Sequence, residues 1–236
     1  MATTPAQRHR ARVLAARGAA ATEHGAVITD SGYDLLRLQL AEDRRRLKDI
    51  QSIERKIEAK HLLLPKYQDW IVSTLNEGKG AQDEVLMTTL VWHIDVGNFG
   101  IALQIAEYAI RHNLILPDTY SRNVATMLMD ETAGTALSGK FEDPIEALYC
   151  LATVGALTVE QDAQDQARAK LHKATAYEFL KLVNAANEEG IDPDMLEPAK
   201  MAMDHLQRAM QLFEGVGVKR DIERLERRLK KAEKTQ

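Results

Sequence analysis

Apolar residues recur along most of this chain at helical rather than strand spacing. Leu36, Leu40, Leu47, Ile50 and Ile57 fall at heptad-like positions, which predicts one long amphipathic helix from Tyr33 to about Leu64. Asp43 and Glu54 interrupt that seam, so the pattern favours an imperfect partner surface over a regular coiled coil. Pro65, in LLLP, lacks an amide hydrogen and restricts Leu64, which ends or bends the helix. Beyond it, YQDWIVSTLN reads as a helix and EGKG as a turn. DEVLMTTLVWHI follows as a helix, GNFG as a short connection and IALQIAEYAIRHN as the return. Further helical sequence follows ILPDTYS and contains VATMLMDETAGTALSG. Asp143 before Pro144 is a helix start, the carboxylate capping and the proline tolerated in the first turn. That helix is expected to bury Ile145, Leu148 and Leu151.

The C-terminal third repeats this architecture. DAQDQARAKLHKATAYEFLKLVNAANEEG predicts a long helix, IDPD a break and LEPAKMAMDHLQRAMQLFEG a return, with a last charged helix from near Val218. ALQIAEYAI and HLQRAMQLF share a small-large periodicity on their return helices, which resembles tetratricopeptide packing, although two degenerate units do not make a regular repeat. The fold class is therefore all-α: antiparallel helical hairpins, a long amphipathic N-terminal helix and a tetratricopeptide-like C-terminal unit. Four regions follow: a basic arm over 1–32, a charged amphipathic helix over 33–64, a central helical oligomerisation region over 65–160, and a C-terminal hairpin with a charged helix over 161–236.

Composition narrows the function classes. At 236 residues and 45% hydrophobic, the chain is large enough to bury a substantial core. The single cysteine, Cys150, excludes an internal disulfide framework and a cysteine-rich zinc site, and makes an intracellular compartment the default expectation. No run has the length of a membrane helix, and residues 1–24 lack the apolar core of a signal peptide. The net charge of -4 conceals segregation. Arg8, Arg10, Arg12 and Arg17 stand without an acid in residues 1–22, and residues 216–236 hold eight Lys/Arg against four Asp/Glu. Residues 130–165 reverse this, with eight acids and one base. The ends suit a polyanion that the middle would repel.

Several candidate chemistries fail on spacing. Gly97 and Gly100, separated by Asn98 and Phe99, do not make the spaced glycine fingerprint of a nucleotide-binding strand-to-helix turn, and GKG at 78–80 lacks both the length of a P-loop and its Lys-Ser/Thr ending. GNFG is better read as a junction whose glycines let two helices approach, with Phe99 covering it. His9, His24, His61, His93, His112, His172 and His205 are dispersed and form no HExxH or other close ligand set, so no metal and no cofactor is assigned. Asp49, Glu58 and Lys60 superficially resemble the acid-acid-x-lysine element of metal-dependent nucleases, but they lie in helical sequence, without the strand that normally holds such groups. Asp130 with Glu131, and Glu142 with Asp143, are more economically solvated acids and helix caps. Trp70 and Trp92 sit in apolar helical periods and read as core or interface anchors in preference to base-stacking platforms. Arg44, Arg45, Arg46 and Lys48 form a better candidate for generic phosphate contact. No catalytic residue is assigned.

PAQRHRARVLAA, LLLPKYQDWIVSTLNEGKGAQDEVLMTTLVWHIDVGNFGIALQIAEYAI, ARAKLHKATA and HLQRAMQLFEGVGVKRDIERLERRLKK together resemble the small terminase subunit family of P2-like tailed bacteriophages. The resemblance spans nearly the whole chain and is weakest through 130–160 and 184–198. It implies a homo-oligomeric, ring-forming DNA-packaging adaptor, which binds double-stranded phage DNA near the cohesive-end site and presents it to the large terminase subunit. ATP hydrolysis and cleavage would reside in that partner. The resemblance further implies DNA contact through Arg8, Arg10, Arg12 and Arg17 of the arm and Arg44, Arg45, Arg46 and Lys48 of the long helix, with the C-terminal helices contacting the large subunit. The location implied is the host bacterial cytoplasm during phage assembly, with no membrane partner. Some relatives carry a longer Lys/Arg/Pro-rich tail, whereas this chain stops at Gln236, so a C-terminal tail is not expected to be the principal DNA contact. Two alternatives stay open: a noncatalytic scaffold binding chiefly the large terminase, and a metal-dependent endonuclease.

Overall fold

A computed structural model describes residues 28, 31–118, 121–186 and 190–233. Among the described residues there is no sheet, so the all-α class holds. The chain forms two compact units that divide between Val124 and Ala125, inside the 65–160 stretch read as the central region.

The first unit holds α1 (Ser31–Asp49), α2 (Ile53–Leu63), a 3-10 turn (Leu64–Lys66), α3 (Gln68–Glu77), α4 (Glu84–Asp95) and α5 (Phe99–Arg111). The single helix expected from Tyr33 to Leu64 is thus two helices. Residues 50–52 leave the helix, and the Ser52 hydroxyl accepts the Arg55 amide at 3.3 Å to start α2. A serine cap satisfies one of the orphan donors of a helix start, and here it breaks the chain without glycine or proline. Pro65 then occupies the first turn of the 3-10 segment, where its missing amide hydrogen costs nothing.

α4 is buried along nearly its whole length, from Val85 through Ile94, and packs on α5 while α1 and α3 cover other sides. Trp70 and Trp92 are both core residues, 2% and 3% exposed, as their apolar periods predict. The Trp92 ring meets Tyr67 edge-on, with centroids 5.9 Å apart.

The second unit comprises α6 (Val124–Leu137, entered at the division), α7 (Pro144–Thr158), α8 (Asp165–Ala186), α9 (Leu196–Leu212) and α10 (Lys219–Glu233), with 3-10 turns at Pro193–Met195 and Glu214–Val216. Asp143 caps α7 by accepting the Ile145 amide at 2.9 Å, with Pro144 in the first turn. The expected burial of Ile145 is corrected: it is 58% exposed. The face of α7 that is buried runs through Ala147, Cys150, Leu151, Val154 and Thr158, spaced three and four apart, and Ile145 lies off that line. The α8–α9 hairpin is lined by small residues, Ala176, Ala199 and Ala202, and closes with Val183, Met203 and Leu206 over Val218, Ile222 and Leu225. Small side chains at these contacts let the helix axes approach, and the larger ones fill the space between.

Candidate nucleic-acid interface

The cations of α1 do not form a uniform positive face. Glu84 stands in the first turn of α4, where a carboxylate complements the helix dipole. It accepts Arg37 Nε at 3.2 Å and Arg44 Nη1 at 3.0 Å. The backbone amide of Glu84 donates to Tyr33 Oη at 2.9 Å, and the Tyr33 ring stacks on Trp70 with centroids 5.0 Å apart. Arg44 is therefore tied to a packed joint between α1 and α4. On the other side, Glu42 accepts Arg45 and, at 3.1 Å, Arg46 Nε. The hydrogen bond from Arg45 is the main reason the Glu42 carboxyl lies below its usual pKa.

Asp43, which interrupts the apolar seam, is 1% exposed yet fully engaged. Tyr67 Oη donates to it at 2.8 Å and Lys66 Nζ at 3.1 Å. It fastens α1 to the 3-10 turn, and removing both partners would strand a buried carboxylate.

Of the sequence-derived DNA contacts, Arg45 and Arg46 keep side chains 74% and 65% exposed, and Lys48 is exposed in the last turn of α1. Arg44, at 34%, is half-buried. Exposed i,i+3 and i,i+4 pairs are weak and salt-screened, so a phosphate competes readily with Glu42 for Arg45 and Arg46, and less readily with Glu84 for Arg44. Arg8, Arg10, Arg12 and Arg17 lie outside the described residues.

The nuclease-like trio does not share one helix. Asp49 ends α1 and Glu58 lies on α2, beyond the break. Lys60 Nζ binds Asp95 Oδ2, at the end of α4. Among the described residues, no group of three or more His, Cys, Asp or Glu side chains is arranged to hold a metal ion. Among the same residues, no helix is long and apolar enough to cross a membrane.

GNFG is a helix junction, as its flanks predict, but the reason given for its glycines needs correction. Gly97 has φ of 76°, a left-handed conformation that favours glycine, and a Cβ there or at Gly100 would meet no close neighbour. Asn98 caps α5 by accepting the Ile101 amide at 3.4 Å, and Phe99 is buried. The glycine that permits close approach is Gly78. A Cβ on it would lie 2.4 Å from Tyr108 Oη and 2.5 Å from the Thr74 carbonyl oxygen. Tyr108 Oη accepts the Gly80 amide at 2.8 Å, so the EGKG turn is clamped against α5.

Two of the dispersed histidines meet. His172 Nδ1 and His205 Nδ1 lie 2.8 Å apart across the α8–α9 contact, one ring donating and the other accepting. Burial pushes His172 down to about 4, with the neighbouring His205, Arg208 and Arg168 adding to the shift. Burial lowers His205 as well. His93 lies in the first unit, 2% exposed and pushed by burial down to about 4. Sequence separation hides the pair: its members are 33 positions apart.

The basic excess of residues 216–236 is gathered on the outer surface of α10. Ile222 and Leu225 are buried and Leu229 is half-buried, whereas Arg220, Arg224, Arg227 and Lys231 are exposed. Their 4-3-4 spacing was the available signal.

Residues 37–166 match the family described as phage small terminase subunit. The chain is 40% identical over 232 residues to the protein named terminase, endonuclease subunit, of Escherichia phage P2, covering 97% of this chain and 86% of that relative. It is 27% identical over 223 residues to the probable terminase, endonuclease subunit, of Haemophilus phage HP1 (strain HP1c1), covering 88% of this chain and 74% of that relative. No solved structure matches.

Proposed function

The chain belongs to the phage small terminase subunit family, and from that premise we propose that it is a DNA-packaging adaptor, which recognises cohesive-end DNA and presents it to the large terminase subunit for cleavage and translocation. Membership carries a role in phage DNA packaging. The observation that supports the finer reading is the 40% identity across 97% of the chain, which includes both basic ends as well as the helical centre.

In this reading, Arg8, Arg10, Arg12 and Arg17 of the arm find the duplex. Arg45, Arg46 and Lys48 add phosphate contacts as they exchange Glu42 for DNA, and Arg44 contributes chiefly by holding α1 on α4. A homo-oligomeric ring, with the tetratricopeptide-like C-terminal hairpin turned to the large subunit, would multiply weak contacts through effective concentration. The setting is the host bacterial cytoplasm during assembly.

Both relatives carry the word endonuclease in their names, which favours weighing intrinsic cleavage as a second reading. The engagement of Lys60 by Asp95, which takes the lysine away from a role beside Asp49 and Glu58, supports the adaptor instead. One experiment separates the readings: electrophoretic binding of the purified chain to cohesive-end and scrambled duplexes with Mg2+ present, the products being run under denaturing conditions. The adaptor reading expects salt-sensitive binding that prefers the cohesive-end duplex, intact strands, and weaker binding after removal of the four arm arginines. Equal weak binding to both duplexes overturns specific recognition. Strand cleavage that is lost in Asp49→Asn or Glu58→Gln establishes the nuclease.

A further inference from the structure

We propose that the outer face of α10 is a second phosphate-backbone contact for duplex DNA, carried by Arg220, Arg224, Arg227 and Lys231. The inference rests on the DNA-packaging reading above and assigns it a surface in the C-terminal unit, far in sequence from the arm and from α1.

The geometry begins with helical spacing. At 100° per residue, positions 220, 224, 227 and 231 fall within about 60° of one another around the axis, and every residue at those positions is basic. The stripe lies opposite Ile222, Leu225 and Leu229, which face the core. It covers roughly 16 Å of axis at about 1.5 Å per residue. Duplex DNA presents one phosphate per ~3.4 Å of axis on each strand, so a row of this length spans about five phosphates of one strand, enough to give each of the four cations a partner.

Neutralisation separates the three arginines of this face from those of α1, whereas Lys231 has an interaction of its own. There, Glu42 and Glu84 each take two arginines. On α10, Arg220 and Arg224 make no ion pair with a described carboxylate, and Arg227 donates only to the Glu223 carbonyl of its own helix. The charge of these three arginines is available without first displacing a carboxylate.

The helix is also held in a fixed rotation. Arg228 Nη1 donates to Asn184 Oδ1 at 2.7 Å and Nη2 to the Gly190 carbonyl at 2.5 Å, while Tyr177 Oη donates to Asp221 Oδ2 at 2.8 Å. These bonds tie both ends of α10 to α8 and to the segment that follows it. A stripe presented by an anchored helix binds with less ordering cost than one on a mobile segment.

The chemistry favours DNA over a protein partner. Protein interfaces are built around an apolar or aromatic core, and the exposed residues of α10 between Lys219 and Glu233 are all charged. Arginines offer planar forks that match phosphate oxygens. Because backbone contacts carry no base information, this face would add affinity to any sequence and leave discrimination to other parts of the protein.

The test measures binding of the full chain to a random-sequence duplex and to a cohesive-end duplex by fluorescence anisotropy across a salt series. The variants are Arg220→Ala/Arg224→Ala/Arg227→Ala/Lys231→Ala and the charge-conserving Arg220→Lys/Arg224→Lys/Arg227→Lys, with circular dichroism melts confirming the fold. The alanine variant should bind both duplexes at least tenfold more weakly, by the same factor, and its slope of log K against log salt should be shallower by about two to three. The lysine variant should stay within a few-fold of the parent. Unchanged affinity and slope in a folded alanine variant, while the parent binds DNA in a salt-dependent way, overturn this inference and leave the packaging reading standing. Failure of the parent to bind either duplex overturns both. Retained DNA binding with lost capture of the large terminase subunit overturns it in favour of a protein-docking face.

Discussion

The Trp70 indole donates its N–H to Asp83 Oδ2 at 2.7 Å, while the other oxygen of Asp83 accepts the Leu86 amide at 2.9 Å. One fully buried carboxylate therefore caps α4 and anchors the ring that stacks on Tyr33. Asp83→Ala removes the cap and leaves an indole N–H without its partner, and should cost about 2–4 kcal/mol, read by denaturant unfolding.

The same carboxylate gives a pH signature. Burial pushes Asp83 up to about 6 from 3.8, so the folded protein holds this proton more tightly than the unfolded chain does. Its contribution to stability is fully present below the unfolded value and is lost as pH rises through about 6, on the order of 3 kcal/mol in all. Asp83→Asn cannot ionise. Unfolding free energies at pH 4 and pH 7 should therefore differ less in that variant than in the parent, and an unaltered difference would refute the assignment.

Gly78 and Gly100 should respond oppositely to alanine. At Gly78 the new methyl would meet Tyr108 Oη and the Thr74 carbonyl, and the clamp on Gly80 would have to open, costing about 1–3 kcal/mol. At Gly100, inside the first turn of α5, a methyl meets only the Asn98 side-chain oxygen, at an ordinary contact distance of 4.0 Å, and the stiffer unfolded chain should give a gain of about 0.4–1 kcal/mol. Thermal melts of the two single variants check both signs, and a Gly100→Ala variant that loses stability would reopen the question of what that glycine does.

Local signals in the sequence account for what was legible. The hairpins around GNFG and IDPD follow from helical periodicity and turn residues, and Asp143–Pro144 from cap chemistry. The α1–α2 break was hidden because Ser52 acts without glycine or proline beside it. The pairing of Glu42 with Arg46 was visible in principle as an i,i+4 contact, but the hold of Glu84 on Arg44 spans 40 residues and exists only once α1 lies on α4. Periodicity gave no sign of that joint, since a helix pattern states which face is buried and not which element buries it.

The His172–His205 pair makes the C-terminal unit sensitive to acid. His172 is held near 4 against an ordinary value of 6.5, so the unfolded chain takes up the proton first. This contribution to stability is complete above about 6.5 and is lost as pH falls through about 4. After discounting for solvent screening it amounts to about 1–2 kcal/mol. His172→Gln/His205→Gln should flatten that part of the pH dependence, followed by hydrogen exchange of amides in α8 and α9. Equal acid sensitivity of those amides in the parent and the double variant would assign the effect to other groups.

Glu42 supplies a direct test of whether α1 meets DNA. It is partly exposed and carries both Arg45 and Arg46, so Glu42→Gln removes a competitor for the two arginines without emptying a buried site. If phosphate takes the place of Glu42 in the complex, the variant should bind a cohesive-end duplex several-fold more tightly at low salt. Each arginine then exchanged for a phosphate contact should steepen the salt slope by about 0.9. The opposite change, Arg45→Ala/Arg46→Ala, should weaken binding and make the slope shallower by a similar amount. Should Glu42→Gln leave affinity and slope unaltered while the arm truncation abolishes binding, α1 would be a structural strut whose cations serve its own carboxylates, and DNA contact would fall to the arm and to α10.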